Sequence, residues 1–511
     1  MNVTEHAALT NETADAPNHL GRVLVLGLGK SGQAACLYLQ KLVGGRADEL
    51  AVAAGADTPA ARAFVEGLDA GVKVAFGDGG VRELAEAASA DADGLAFDLC
   101  VASPGIPPHA DLYRDALACS AEVVSELELA WRESGPDARW AVVTGTNGKT
   151  TVTSLLAHLL ADAQGGVAAV GNIGAPAIEA VASGAVRTYV AEASSYQLAS
   201  SPRLVPDVAV VLGITPDHLS WHGDFDHYAE AKLALVERMR LAGRGAAVLD
   251  ATNDVVRGEV RRLRALPPAA GFSVVPVGTA DGLASDMRAR CGSENAAFVD
   301  ADGLLAVGFG ADATTLCPAS ALRIAGEHNA LNALAAAAAA LVLGADAADV
   351  AARLATFAPL EHRIEPCGDV GGVACYNDSK ATNVDATLKA FAAFPSSPLV
   401  VLLGGRDKGT DLAPLVAAAA AHAKAVVVYG EARFRFARAF GLAFDEGMGC
   451  PYVMADDLRE AFSEGLSLCD PGDVLLLSPA CASFDEFSCF EERGDVFKAL
   501  VAARAAKTGE A

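Results

Sequence analysis

The stretch Thr144-Gly145-Thr146-Asn147-Gly148-Lys149-Thr150-Thr151 constrains this chain more than any other. It follows the apolar run Trp140-Ala141-Val142-Val143 and leads into Val152-Thr153-Ser154-Leu155-Leu156-Ala157. That order reads as a buried strand, a glycine turn and the start of a helix. Successive backbone N–H groups at such a turn point at a common centre, and the helix N-terminus adds partial positive charge. Gly145 and Gly148 let the backbone approach a phosphate closely, Lys149 can reach the terminal phosphates, and Thr150 can hold Mg²⁺. The usual spacing puts the first glycine where Val143 stands, so the strict pattern fails and a shortened phosphate loop is the reading. A glycine turn beside a solvated lysine is the alternative.

Bulk properties narrow the setting. At ~150 residues per domain, 511 residues accommodate about three domains. Hydrophobic residues make up 52% and charged residues 20%, which implies buried globular cores. A net charge of −25 repels nucleic-acid phosphates and anionic membranes, so neither is expected as a partner. Any anionic substrate must then be held by local lysines, helix ends and metal ions. The 11 cysteines are scattered and never spaced as C-x-x-C, so neither a disulfide framework nor a zinc site is expected. Met1 to Pro17 lacks the apolar segment of a secretory signal, and the most apolar helix candidate, Leu331 to Leu343, falls short of the about 20 residues that span a bilayer. A cytoplasmic protein is expected.

Along the chain, residues 1–20 read as a disordered tail. Val23 to Leu26 leads into Gly27-Leu28-Gly29-Lys30-Ser31-Gly32 and a helix from Gln33 to Leu42, which matches the dinucleotide fingerprint G-x-G-x-x-G. A nicotinamide site also wants an acid at the end of the next strand. Leu50 to Ala54 ends in Ala54-Gly55, so a nucleotide-diphosphate site without hydride chemistry is the reading. Leu99 to Ala102 runs into the turn Ser103-Pro104-Gly105, at a strand end where open α/β sheets bind ligands. A helix over Ser125 to Arg132 and the segment Glu133 to Asp137 mark the passage into a central domain. There Thr188 to Ala191 precedes Glu192, and Val208 to Leu212 precedes Asp217-His218; a carboxylate and an imidazole just past strands can ligate Mg²⁺ or Mn²⁺. Lys232, in a helix over Tyr228 to Arg240, reads on its own as a solvated surface lysine. Residues 281–297 read as a surface insertion. Asn329 and Asn332 share one face of a long alanine-rich helix, so both amides can address one ligand. A third α/β domain begins near Ala358, with His362-Arg363 at its hinge. The expected division is 21–126, 127–357 and 358–507: a Rossmann-like domain, a P-loop ATPase-like α/β domain and a second Rossmann-like domain.

Together these motifs resemble the ATP-dependent Mur ligases of peptidoglycan synthesis, over residues from about 21 to 500. The shortened loop Thr144 to Thr151, the stretch Gly326-Glu327-His328-Asn329 with Asn332, and His362-Arg363 are similar to that family's nucleotide-binding signatures. Gly27 to Gly32, Asn377-Asp378-Ser379-Lys380-Ala381-Thr382-Asn383, and Leu477 to Phe487 resemble the branch that adds D-glutamate. The resemblance implies a carboxylate of UDP-N-acetylmuramoyl-L-alanine attacking ATP to give an acyl phosphate, which the amine of D-glutamate then attacks. It further implies two Mg²⁺ ions, one with Thr150 and Glu192 and one with His218 and Lys232, the lysine as its carbamate. By the same resemblance Gly145 to Thr151, Asn329, Asn332, Arg363 and Asp378 bind ATP. Gly29, Lys30, Ser31 and Ser103 lie near the uridine diphosphate, and Asn172 and Ser195 contact the muramoyl-alanine part. Lys380, Thr382, Lys408, Ser483 and Phe490 line the D-glutamate pocket. The protein is expected to act as a monomer. Gly213, Ser220 and Ala54 depart from the family pattern and leave the uracil contacts and the support of the metal ligands open. A sibling ligase, a folylpolyglutamate synthase, a nucleotide-operated switch and a dehydrogenase are the rival readings.

Overall fold

The computed structural model describes residues 18–88, 95–162, 164–278, 295–309, 312–324, 326–395, 397–407, 409–447 and 449–508. Its architecture is α/β with three sheets. Strands β1 Gly21–Leu26, β2 Ala47–Ala54, β3 Lys73–Phe76, β4 Leu99–Ala102 and β5 Val123–Ser125 form a parallel sheet in the order β3-β2-β1-β4-β5. The strands are near-continuous apolar runs because helices cover both faces of a parallel sheet. β1 has neighbours on both sides that follow it in sequence, and such a switch point opens a crevice at the strand ends. Gly27 and Ser103 stand at that crevice.

The second sheet joins β6 Arg139–Thr144, β7 Val167–Gly171, β8 Thr188–Glu192, β9 Val208–Val211, β10 Gly245–Asp250, β11 Phe272–Val277, β12 Ala296–Val299, β13 Leu304–Phe309 and β14 Asp312–Pro318. Their order is β14-β13-β12-β11-β10-β9-β6-β8-β7. The pairings from β7 through to β12 are parallel, and those of β13 are antiparallel. The third sheet joins β15 Glu365–Val370, β16 Val373–Asn377, β17 Leu399–Gly404, β18 Ala423–Tyr429, β19 Tyr452–Met454 and β20 Val474–Ala480. It has the order β15-β16-β20-β17-β18-β19, with β15 antiparallel to its neighbour.

The chain forms two compact units. One takes the described residues up to Ala321 with Leu331–Ala355, and the other takes Leu322–Ala330 with the described residues from Thr356 onwards. Within the first unit a single apolar cluster runs from Val23 and Val52 through Leu127, Leu129 and Trp131 to Trp140, Val142 and Tyr189. Fully burying each such side chain is worth about 1.5–3 kcal/mol. The helix Glu126–Glu133 is therefore a shared core element, capped by the Ser125 side chain.

Several local expectations shift. The first helix runs Lys30–Leu39, starting inside the glycine turn, and a 3₁₀ turn covers Gln40–Leu42. Residues 1–17 lie outside the described residues, but Leu20 is buried and its N–H donates to the Arg46 carbonyl at 2.7 Å, so the packed chain reaches back past the expected limit of the tail. Of the expected insertion, 281–294 lies outside the described residues, whereas Ala296 and Ala297 are buried in β12. The apolar run Val474 to Leu477, whose length suggests a strand ending at Leu477, continues in β20 through Ser478 and Pro479 to Ala480, because Gly404 pairs with Ala480 beyond a bulge in β17.

Candidate active site

β9, β6 and β8 are parallel neighbours, with Thr144 beside Val211 and Val143 beside Glu192. Their carboxyl ends bring three loops together. After β6, Gly145 has φ +143° and Gly148 φ +83°, conformations that favour glycine. A Cβ on Gly145 would stand 2.7 Å from Leu212 Cβ, and one on Gly148 2.7 Å from Asn332 Oδ1. Gly148 caps the helix Lys149–Leu159, so the N–H groups of its first turn, including those of Thr150 and Thr151, face the loop. Thr146 ties the loop to its neighbour: its N–H donates to the Gly213 carbonyl at 2.9 Å, and its Oγ1 accepts from the Thr215 N–H at 2.9 Å. Gly213, one of the departures from the family pattern, thus serves through its backbone. Asn147 is half-buried in the same loop. Lys149 Nζ donates to the carbonyls of Gly145 at 3.1 Å and Thr146 at 2.8 Å.

Lys232 is not a solvated surface residue. It is 1% exposed, because the helix Phe225–Ala242 turns a face with Tyr228, Lys232, Leu235 and Met239 inward. Its Nζ donates to the Gly145 carbonyl at 2.9 Å and lies 4.7 Å from the Tyr228 ring centroid. Burial, reinforced by the Lys149 charge, holds this amine well below the ordinary lysine pKa, although Asp217 and Glu192 pull the other way.

Glu192 is the last residue of β8 and not, as expected, beyond it, and it is 2% exposed. Its Oε1 accepts from Asn172 Nδ2 at 2.9 Å, while Oε2 is buried with no hydrogen-bond partner. An orphaned carboxylate oxygen costs about 1–3 kcal/mol, and a cation would relieve it. Among the described residues no three histidine, cysteine or carboxylate side chains cluster as an all-protein metal cage. One carboxylate near a phosphate loop and the hydroxyl of Thr150 instead fits Mg²⁺, which uses few protein ligands together with water and substrate phosphates. His218, with φ +54°, caps the short helix Leu219–His222, and its Nε2 lies 3.5 Å from Asp217 Oδ2.

One contact escaped the sequence reading. His222 Nε2 lies 2.9 Å from the buried Ser195 Oγ. Burial, then Lys232, His218 and His227, lower the imidazole pKa to about 4, so it is neutral at pH 7. The available signal is its place four residues after His218.

In the first sheet, a Cβ on Gly32 would stand 2.0 Å from the Gly27 carbonyl oxygen, and Ser103 Oγ donates to that same oxygen at 3.1 Å. The first and third fingerprint glycines and Ser103 are thus brought into one turn. Gly29 caps the helix Lys30–Leu39 and has open space at its Cα, and Ser31 follows in the first turn. Lys30 Nζ donates to the Gly174 carbonyl at 2.6 Å.

In the second unit, Asp378 is buried, accepts from Ser478 Oγ at 2.8 Å, and has its pKa raised to about 7 by burial despite the nearby Arg363 charge. Lys380 Nζ lies 3.8 Å from the Phe490 ring centroid, Thr382 N–H donates to the Lys380 carbonyl at 2.8 Å, and Ser483 is 2% exposed. Asn329 and the buried Asn332 both lie on the helix Glu327–Val342. Lys408 lies outside the described residues.

Residues 143–340 match the family model of the Mur ligase middle domain, and 362–481 match that of the Mur ligase glutamate ligase domain. The UDP-N-acetylmuramoylalanine–D-glutamate ligase of Streptococcus gordonii is 34% identical over 93% of this chain and 96% of its own length. The protein of that name from Bordetella parapertussis is 35% identical over 98% and 99%. Among solved structures, a murein peptide ligase from Psychrobacter arcticus covers 96% of this chain and 99% of its own at TM-score 0.51 and 17% identity. MurF from Acinetobacter baumannii covers 82% and 93% at TM-score 0.53 and 15% identity. The structures share the fold; the sequence relatives and the two matched domains carry more. The chain belongs to the Mur ligase family, in the branch of the UDP-N-acetylmuramoylalanine–D-glutamate ligases.

Proposed function

We propose that this protein is an ATP-dependent amide ligase that joins D-glutamate to UDP-N-acetylmuramoyl-L-alanine, releasing ADP and phosphate, in the building of peptidoglycan precursors. The observation that carries the reading is the meeting at one sheet edge of a glycine-built phosphate loop, Lys149, and a buried Glu192 oxygen without a partner.

The physical problem is the approach of a carboxylate to a triphosphate, two anions. The backbone N–H groups of the loop from Gly145 to Thr151, other than that of Thr146, which Gly213 takes, cradle the phosphates, and Lys149 exchanges its loop carbonyls for phosphate oxygens. With charge spread over the transferring phosphoryl group, donors fixed in place before the reaction stabilise the transition state most. The substrate carboxylate oxygen bonds to the γ-phosphorus as the bond to ADP breaks. The amine of D-glutamate then attacks the acyl carbon, the carbon–oxygen bond breaks, and phosphate leaves with the amine proton lost to solvent or a base.

Mg²⁺ bound by Thr150 and Glu192, with a second ion at His218 and Lys232, would offset the repulsion and polarise the phosphoryl oxygens. Lys232 fits a carbamate, because CO₂ adds to a neutral amine and this amine is buried with a lowered pKa. Asn172 and Ser195 hold the muramoyl-alanine part, the latter oriented by neutral His222. Gly29, Lys30, Ser31 and Ser103 serve the uridine diphosphate. Asn329, Asn332, Arg363 and Asp378 serve ATP. Lys380, Thr382, Lys408, Ser483 and Phe490 serve D-glutamate, whose two carboxylates suit cationic lysines. Among the described residues no helix is long and apolar enough to cross a membrane. We assign the three expected domains, a monomer and a cytoplasmic location to the same reading.

The test is phosphate release with UDP-N-acetylmuramoyl-L-alanine and ATP across a panel of D- and L-amino acids. Release that requires D-glutamate supports the ligase. Release indifferent to the amino acid would instead point to a nucleotide-operated switch.

A further inference from the structure

Arg493 stands out in the second unit. It is 0% exposed, and among the described residues no carboxylate oxygen lies within 4.0 Å of it. Taking a guanidinium out of water is costly; Asp378 and Glu486 act on it only through space, and its direct partners are neutral. Nε donates to Ser379 Oγ at 2.9 Å, Nη1 to the Cys481 carbonyl at 3.1 Å, and Nη2 to the carbonyls of Ser379 at 2.8 Å and Cys481 at 3.1 Å. Ser379 Oγ in turn donates to the carbonyl of Phe490 at 2.8 Å, at the start of Arg493's own helix, Phe490–Thr508. A ring of hydrogen bonds thus closes through one side chain.

What the ring holds is informative. β16 and β20 are adjacent and parallel, so the loops after Asn377 and after Ala480 emerge side by side. Arg493 bonds to both loops and reaches the helix start through Ser379. Ser379 precedes Lys380, Cys481 lies two residues before Ser483, and Phe490 carries the ring over which Lys380 sits. Three residues of the proposed amino-acid pocket, from three separate chain segments, are therefore fixed to one planar group. Lysine could not replace it, because a single ammonium lacks the rigid fork that reaches two loops at once.

We propose that Arg493 is the positioning residue of the amino-acid pocket, setting the mutual placement of Lys380, Ser483 and Phe490 and adding a buried positive charge, in direct contact with no carboxylate, that favours a dicarboxylate. This rests on the ligase reading above, in its D-glutamate half.

The experiment compares Arg493→Lys and Arg493→Met with the wild-type chain in two assays. Hydroxylamine trapping of the acyl phosphate, with ATP and UDP-N-acetylmuramoyl-L-alanine but no amino acid, reads the first half-reaction. Steady-state amide formation reads KM for D-glutamate. Misplacing a binding group by an ångström costs up to about a hundredfold, so Arg493→Lys should raise KM for D-glutamate about tenfold and Arg493→Met more, as it also loses the charge. Trapping should stay within about twofold of wild type in both variants. An unchanged KM for D-glutamate, or trapping that falls in parallel with amide formation, overturns the proposal, because a merely structural arginine lowers both steps together. If Arg493→Met does not fold, Ser379→Ala cuts the same ring and must raise KM for D-glutamate without loss of trapping. A wild-type chain that traps nothing overturns the ligase reading itself, an outcome separate from a working enzyme with indifferent variants.

Discussion

Lys149 and Lys232 donate to the same acceptor, the Gly145 carbonyl oxygen, at 3.1 and 2.9 Å. Two ammonium groups so placed stand within about 6 Å and repel by about 3 kcal/mol at an effective dielectric of ~20. Burial adds to the penalty for Lys232, so one of the two amines that hold the phosphate loop resists charging.

The first prediction concerns the resisting amine. Lys232→Ala should lose activity on the order of a hundredfold, and formate or acetate should restore part of it by supplying the missing carboxylate. Turnover assays with increasing formate check this, and the absence of any rescue would count against a carbamate.

Lys149→Ala should abolish ADP formation while leaving the fold intact, since its side chain is half-buried and bonds to loop carbonyls that water can serve. Circular dichroism and thermal melting should match wild type within a few degrees, with ADP release lower by on the order of a hundredfold or more. Retained turnover would remove the phosphate-loop assignment.

Glu192→Gln probes the orphaned oxygen. The amide keeps an acceptor for Asn172 but removes the negative charge from the buried Oε2 position. The Mg²⁺ concentration for half-maximal activity should rise about tenfold or more, with melting temperature steady or higher. An unchanged Mg²⁺ requirement would place the ion elsewhere.

Glu126 yields a pH prediction away from the site. Burial pushes its carboxyl up from 4.5 to about 7, outweighing the Ile178 N–H that donates to Oε1 at 2.7 Å. A pKa raised on folding contributes stability fully below 4.5 that is lost as pH climbs to about 7. Glu126→Gln keeps the Ile178 acceptor and does not titrate. Denaturation midpoints should show the variant gaining on wild type by roughly 3 kcal/mol between pH 4.5 and 7.5. A difference constant across that range would show that Glu126 does not carry this term.

Much of the fold was readable because parallel strands buried on both faces leave long apolar runs, as in Val23 to Leu26 and Val208 to Val211, and because Gly27, Gly145 and Gly148 occupy backbone positions that favour glycine. Element ends were harder. The helix from Lys30 starts within its glycine turn, and β20 runs on through Pro479, because pairing with neighbours decides both. Site residues that bond through local backbone, such as Lys149 to the carbonyls of Gly145 and Thr146, could be placed from their motif. Lys232 is placed in the site by the family resemblance alone; its burial shows only in the packed sheet, although it stands on the stripe of Tyr228, Leu235 and Met239. His222 and Arg493 lie outside every motif and bond to residues distant in sequence, so only tertiary structure reveals them.

The most direct test of the account follows oxygen. With ¹⁸O in both oxygens of the alanine carboxylate of UDP-N-acetylmuramoyl-L-alanine, ATP and D-glutamate, one labelled oxygen should pass into the released phosphate for each amide formed, because the carboxylate attacks phosphorus and leaves as part of phosphate. Phosphate without label, with its new oxygen drawn from solvent, would mean that ATP is hydrolysed by water and that no acyl phosphate is made.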